Sequence, residues 1–162
     1  AELDNHDTPR QALGLSWSVF PFRKAFRYIR NHFLFDKPLT GRKEEDIPAV
    51  YAAILNGKLY ASLDWLAPAR GFTFVISSGG GDLHMGDTAL FNTLAQAKTT
   101  ALVSTPFPGK IKLVRDGKTI SQTEGKTLEY RVENAGVYRA EVYYRRFGKD
   151  RPWIFSNPII LL

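Results

Sequence analysis

The 162-residue sequence has no cysteine, one methionine and three histidines. Without thiols there are no disulfides, no thiolate metal sites and no Cys-His nucleophile, so any metal centre must be built from imidazole and carboxylate. No apolar run is long enough to cross a bilayer, and the longest clean one, PIILL at the end, is strand-sized. A Gly-x-Ser-x-Gly elbow is absent. The glycine-rich SSGGGDLHMGD lacks the Lys and Ser/Thr of a phosphate loop, and it reads as a loop between strands. His84 and Asp87 lie inside it, but nothing in their spacing fixes a metal ion.

What is present is the composition of a folded domain: 44% hydrophobic, 13% aromatic and 23% charged. The formal charge of +6 is spread along the chain, with 10 Lys/Arg against 8 Asp/Glu in residues 1–70 and 12 against 8 in residues 71–162. Neither half is a basic block, so no nucleic-acid partner is expected.

Periodicity divides the chain. From Pro21, the residues Phe22, Ala25, Phe26, Ile29 and Phe33 recur at helical spacing, while Arg23, Lys24, Arg27 and Arg30 take the other face. This predicts an amphipathic helix whose basic side is solvated. FDKPLTGRKEED is a connection. A second helix is predicted from the acidic Glu44, Glu45 and Asp46, through Pro48 and the apolar Ile47, Val50, Tyr51, Ile54 and Leu55, to a stop at Gly57.

Beyond Gly57 the period becomes two. In KLYASLDWL, Leu59, Ala61, Leu63 and Trp65 alternate with Tyr60, Ser62 and Asp64. FTFVIS, TTALVST, KIKLVRD, KTISQT, TLEYRVE, VYRAEVYYRR and PWIFS follow as short strands between Gly, Pro, Asn or Asp, whereas TALFNTLAQA is ambiguous. Asp116-Gly117 between two β-rich runs is a hairpin signal. ENAGVYRAEVYY has the form of a tyrosine corner, with Tyr138 two residues ahead of a core position at Ala140. In RPWIFSNPI, period two predicts Trp153 and Phe155 on the inward face. The expected fold is mainly β with an α-helical N-terminal part: an immunoglobulin-like sandwich over 58–162, preceded over 1–57 by two helices and the end of another domain.

The first residues carry the remaining chemistry. The chain begins without methionine and places Asp4, His6 and Asp7 behind Leu3, as the cut edge of a longer protein would. Side chains two apart on an extended strand point the same way, so Asp4 and His6 can share one divalent cation. His32, alone at RNHFLF, reads as structural.

LDNHD, ASLDWLAPARGF, GVYRAEVYY and RPWIFSNPIILL occur in this order along nearly all of the chain. Together they resemble the C-terminal region of the PHP (polymerase and histidinol phosphatase) family of metal-dependent phosphoesterases, in the bacterial subgroup whose catalytic domain is followed by a small all-β domain. The resemblance implies that Leu3 ends the last strand of a distorted β/α barrel. It also implies that Asp4 and His6 are late ligands of a cluster of zinc, manganese or iron ions, and that a small phosphoester is hydrolysed by the full-length protein. The family's early His-x-His motif is absent from this chain. The resemblance therefore implies a missing N-terminal barrel as the partner, no catalytic residue in this stretch and no metal held stably by it alone. A carbohydrate- or protein-binding module is the alternative, signalled by exposed rings among Trp65, Trp153, Tyr143 and Tyr144.

Overall fold

The computed structural model describes residues 9–18, 21–91 and 99–162. Asp4, His6 and the expected barrel strand at Leu3 lie outside the described residues. The structure is mainly β, built on a multi-stranded antiparallel sheet consistent with a β-sandwich.

A small separate hairpin comes first, β1 (Arg10–Ala12) with β2 (Leu15–Trp17). The helix expected from Pro21 to Phe33 is a single turn, α1 (Phe22–Ala25), and the segment then straightens into β3 (Arg30–Phe33). Its helical period loses to tertiary pairing, because Arg30 to Phe33 satisfy the free edge of β4 (Leu59–Ser62). The second helix forms as expected, α2 (Lys43–Leu55). Asp46 folds back from it to accept the N–H groups of Thr40 and Gly41, each at 2.8 Å. Those bonds hold the carboxyl below its ordinary pKa, the Thr40 N–H most of all.

The sheet continues with β5 (Thr73–Ser78), β6 (Gly81–His84), β7 (Thr88–Ala89), β8 (Thr100–Arg115), β9 (Lys118–Arg131), β10 (Gly136–Arg146), β11 (Lys149–Ser156) and β12 (Ile159–Leu161). SSGGGDLHMGD is thus partly a hairpin, and of TALFNTLAQA only the start, in β7 and Phe91, is described. TTALVST and KIKLVRD prove to be one strand, as do KTISQT and TLEYRVE. The register of β8 on β9 shifts between Ser104 and Gly109, where Pro106 and Pro108 cannot donate to the ladder. Gly109 is required there, since a Cβ would stand 2.7 Å from the Tyr143 carbonyl oxygen. The first part of β8 pairs with β5 and its last part with β10, so one strand serves both regions of the sheet.

Asp116 and Gly117 close the β8–β9 hairpin with φ of 49° and 80°, the left-handed pair of a type I′ turn. Tyr138 is buried, and its hydroxyl donates to the Asn134 carbonyl oxygen at 2.6 Å, completing the corner expected at that position. Among the described residues the large core side chains all come from Tyr60 onward, and before residue 58 only Ala25 and Ala53 are buried hydrophobics.

Two faces differ from expectation. In β4 the buried residues are Tyr60 and Ser62, while Leu59 and Ala61 are half-buried and Trp65 lies beyond the strand, 41% exposed. In β11, Val142 of β10 faces Ile154 and Tyr143 faces Pro152, which leaves Trp153 as an extra residue. This bulge turns both Trp153 and Ile154 into the core and sends Phe155 to the opposite face, against Tyr143. The Trp153 indole N–H donates to the Ala67 carbonyl oxygen at 2.8 Å, and Tyr144 packs on the ring edge-on at 5.3 Å.

Two outcomes follow. Trp153→Ala is expected to lower unfolding free energy by about 3–5 kcal/mol, read by urea denaturation, because it leaves a cavity and an unpaired carbonyl. Phe155→Ala should cost clearly less. Residues 58–162 expressed alone are expected to melt in one cooperative transition, since the large core side chains lie within them. A broad, non-cooperative melt would make the first 57 residues part of the core.

Candidate functional site

A polar cluster grows from the β3–β4 ladder. Arg30 faces Ser62 and His32 faces Tyr60 across it, so side chains of one face meet although they lie about thirty positions apart. The His32 ring lies flat on the Tyr60 ring, 4.5 Å between centroids and 2° between planes. Its Nε2 is 2.9 Å from the Ser62 hydroxyl and 3.3 Å from Asp64 Oδ1. Ser62 donates to Asp64 Oδ1 at 2.5 Å, and Arg30 reaches Asp64 Oδ2 at 3.4 Å. Below them the buried Tyr60 hydroxyl donates to the Ala69 carbonyl oxygen at 3.0 Å.

Ser, His and Asp together invite a nucleophilic reading, which the geometry rejects. A relay needs the serine and the carboxylate on opposite ring nitrogens. Here both stand at Nε2, Ser62 gives its own proton to Asp64, and the serine is buried away from any substrate. A cation is equally ill served, because the Arg30 guanidinium already occupies Asp64. The cluster is a polar clamp that fastens β3 to the sheet, and His32 has the structural place expected of it. Sequence could not have assembled it, because the three residues share no motif and the segment around His32 carries a helical period.

Asp4 and His6, the residues singled out for metal binding, lie outside the described residues. No group of three or more His, Cys, Asp or Glu that could hold a metal ion occurs among the described residues. Asp87 accepts the His84 backbone N–H at 2.7 Å and so shapes its turn, while the His84 ring points to solvent. Of the four rings weighed for a binding face, Trp153 is buried and Tyr143 and Tyr144 are half-buried, which leaves Trp65 alone exposed.

Trp65 borders a cleft of about 400 Å³ whose other walls include Lys24, Arg27, Tyr28, Arg30 and Pro68. Tyr28 leans on Trp65 at 5.3 Å between ring centroids, and the Arg146 guanidinium sits 5.1 Å from the same ring. Arg146 also donates to the carbonyl oxygens of Trp65 and Leu66, at 3.1 and 3.2 Å. No protein-family model, curated protein or solved structure matches this chain.

Burial, reinforced by the Asp64 carboxylate, pushes the Tyr60 phenol up to about 12 from 10.0. A raised phenol favours the protonated fold, so its contribution is complete below about pH 10 and is lost as pH rises toward 12. Stability should fall over that window, and Tyr60→Phe should flatten part of the fall. Tyr138 and Tyr143, raised by the same cause, keep the remainder. Thermal melts of both proteins across that range check it; an identical alkaline loss in the variant would remove Tyr60 as a source.

Proposed function

We propose that this chain is the C-terminal part of a PHP-type metal-dependent phosphoesterase. In this reading residues 58–162 form an immunoglobulin-like accessory sandwich, and residues 1–57 join it to a preceding catalytic barrel. The observation that carries the reading is the exposed apolar face of α2. Ile47, Tyr51, Ile54 and Leu55 fall at helical spacing, and all are exposed, Tyr51 at 63% and Leu55 at 84%, whereas the helix buries only Ala53. A helix that turns its large apolar residues outward suits a surface that a neighbouring domain covers. The tyrosine corner at Tyr138 supports the immunoglobulin-like assignment.

Asp4 and His6 would then supply one carboxylate and one imidazole to the metal cluster from the same face of an extended segment. The divalent ions would lower the pKa of a bound water for attack on phosphorus. Two ligands do not make such a site, and the remaining ligands belong to the barrel. The carbohydrate- or protein-binding alternative rests on Trp65, the one exposed ring of the four.

The test compares this chain with one extended upstream, on an aryl phosphate with manganese or zinc. The chain alone is expected to be inactive. The extended protein is expected to turn over and to lose roughly a hundredfold or more with Asp4→Ala or His6→Ala. Inactivity of the extended protein, or turnover by the short chain that vanishes with Asp4→Ala and His6→Ala together, would sink the proposal.

A further inference from the structure

The cleft beside Trp65 combines aromatic rings with charge of one sign. Lys24, Arg27 and Arg30 line it together with Tyr28, Trp65 and Pro68, and its one carboxylate, Asp64, is already engaged by Arg30 and Ser62. Lys24 and Arg27 are exposed, and among the described residues neither forms an ion pair. Between Asp7 and Asp36 the sequence holds Arg10, Arg23, Lys24, Arg27 and Arg30 and no acidic residue. Contact carries the aromatic side of the cleft outward. The Arg146 guanidinium lies over Trp65 and also over Phe147, 5.1 and 5.3 Å from the ring centroids, which joins the cleft to the tip of the β10–β11 hairpin. There Phe147 is 80% exposed and holds a φ of 52°, a left-handed conformation that a bulky side chain rarely adopts. Asn or Asp before Gly148 would make the same turn without strain, but neither would present a ring to solvent.

We propose that this surface, from Lys24 and Arg27 across Trp65 to Phe147, docks an extended acidic segment of a partner protein. Lys24 and Arg27 receive its carboxylates, and Trp65, Pro68 and Phe147 receive its apolar side chains. Aromatic residues and arginine are the side chains on which protein interfaces concentrate their binding energy, and the net charge of +6 steers an acidic partner toward this chain. A saccharide would need an open ring face to stack on, whereas Trp65 already meets Arg146 and leans on Tyr28. A nucleic acid would need rings set out for successive bases, and of Tyr28, Trp65 and Phe147 only the last is more than half exposed. The inference sharpens the protein-binding alternative at Trp65 and is independent of the phosphoesterase reading, since binding rather than turnover tests it.

The test is fluorescence anisotropy of the full 162-residue chain with a labelled peptide alternating Glu with Leu, and with its counterpart carrying Gln for Glu. The Glu peptide is expected to bind and to be released by high salt, and the Gln peptide to bind about tenfold or more weakly. Lys24→Gln with Arg27→Gln should weaken binding of the Glu peptide about tenfold, and Phe147→Ser about fivefold. Arg23 is an exposed cation on the same helical turn that does not line the cleft, so Arg23→Gln should change binding by less than about twofold. All four positions are exposed, so the thermal midpoint should not fall, and a melt of each variant verifies this. The proposal is overturned by absence of binding to the Glu peptide, by equal binding of the Gln peptide, or by binding that the cleft pair or Phe147→Ser leaves unchanged. It is equally overturned if Arg23→Gln costs as much as the cleft pair, or if an alginate oligosaccharide or a single-stranded oligonucleotide binds more tightly than the peptide.

Discussion

Strand β10 is held on both sides, and most of the sheet hangs from it. Its residues from Tyr138 to Tyr143 pair with β8 on one side, while β11 and then β12 pair with the other. Tyr138, Ala140 and Val142 are fully buried along it. The ladder on the second side is interrupted where Asn157 and Pro158 turn the chain from β11 into β12, and the Ser156 hydroxyl repairs it by accepting the Ala140 N–H at 2.8 Å. A buried N–H without a partner would be costly, so the small polar side chain at 156 has a defined task. Outer elements attach to this frame: β4 to β11, β7 to β12, β5 to β8, and β3 to β4.

Features set by local chemistry were readable from residues. Asp116-Gly117 has only a few turn conformations open to it, and the Tyr138 corner spans four positions, so neither depends on distant partners. The limits of α2 were legible for the same reason, with acidic residues at its start and Gly57 just past its end. Features set by distant partners were not readable. Arg30 to Phe33 carry helical spacing, yet β4 draws them into a strand. Phe155 carries inward spacing, yet the extra residue at Trp153 reverses its face. In β4 apolar character marked the wrong side, because Tyr60 and Ser62 bury their polar atoms on Ala69 and Asp64 and can therefore sit inside.

The same division governs the candidate site. Asp4 and His6 stand out because the pair lies two positions apart in sequence, and they fall outside the described residues. The clamp of His32, Ser62 and Asp64 is assembled by strand pairing, so no local pattern announces it. The exposed pair Phe22 and Phe26 was read as core because an apolar stripe on a helix ordinarily seeks one. Once that helix stops after a turn, the stripe loses its core and becomes surface.

The long hairpin of β8 and β9 also orders the events of folding. Its two strands are contiguous in sequence and joined by a turn that is favoured locally, so its closure loses little loop entropy. Hairpins of this kind close in about 1–10 μs. The pairing of β4 with β11 joins opposite ends of the folded region and must await everything between them. The hairpin is therefore the natural nucleus, with one arm already serving β5 and the other part of the same strand serving β10. The strand that carries Tyr60, and with it the His32 clamp, closes one of the longest sequence separations in the sheet.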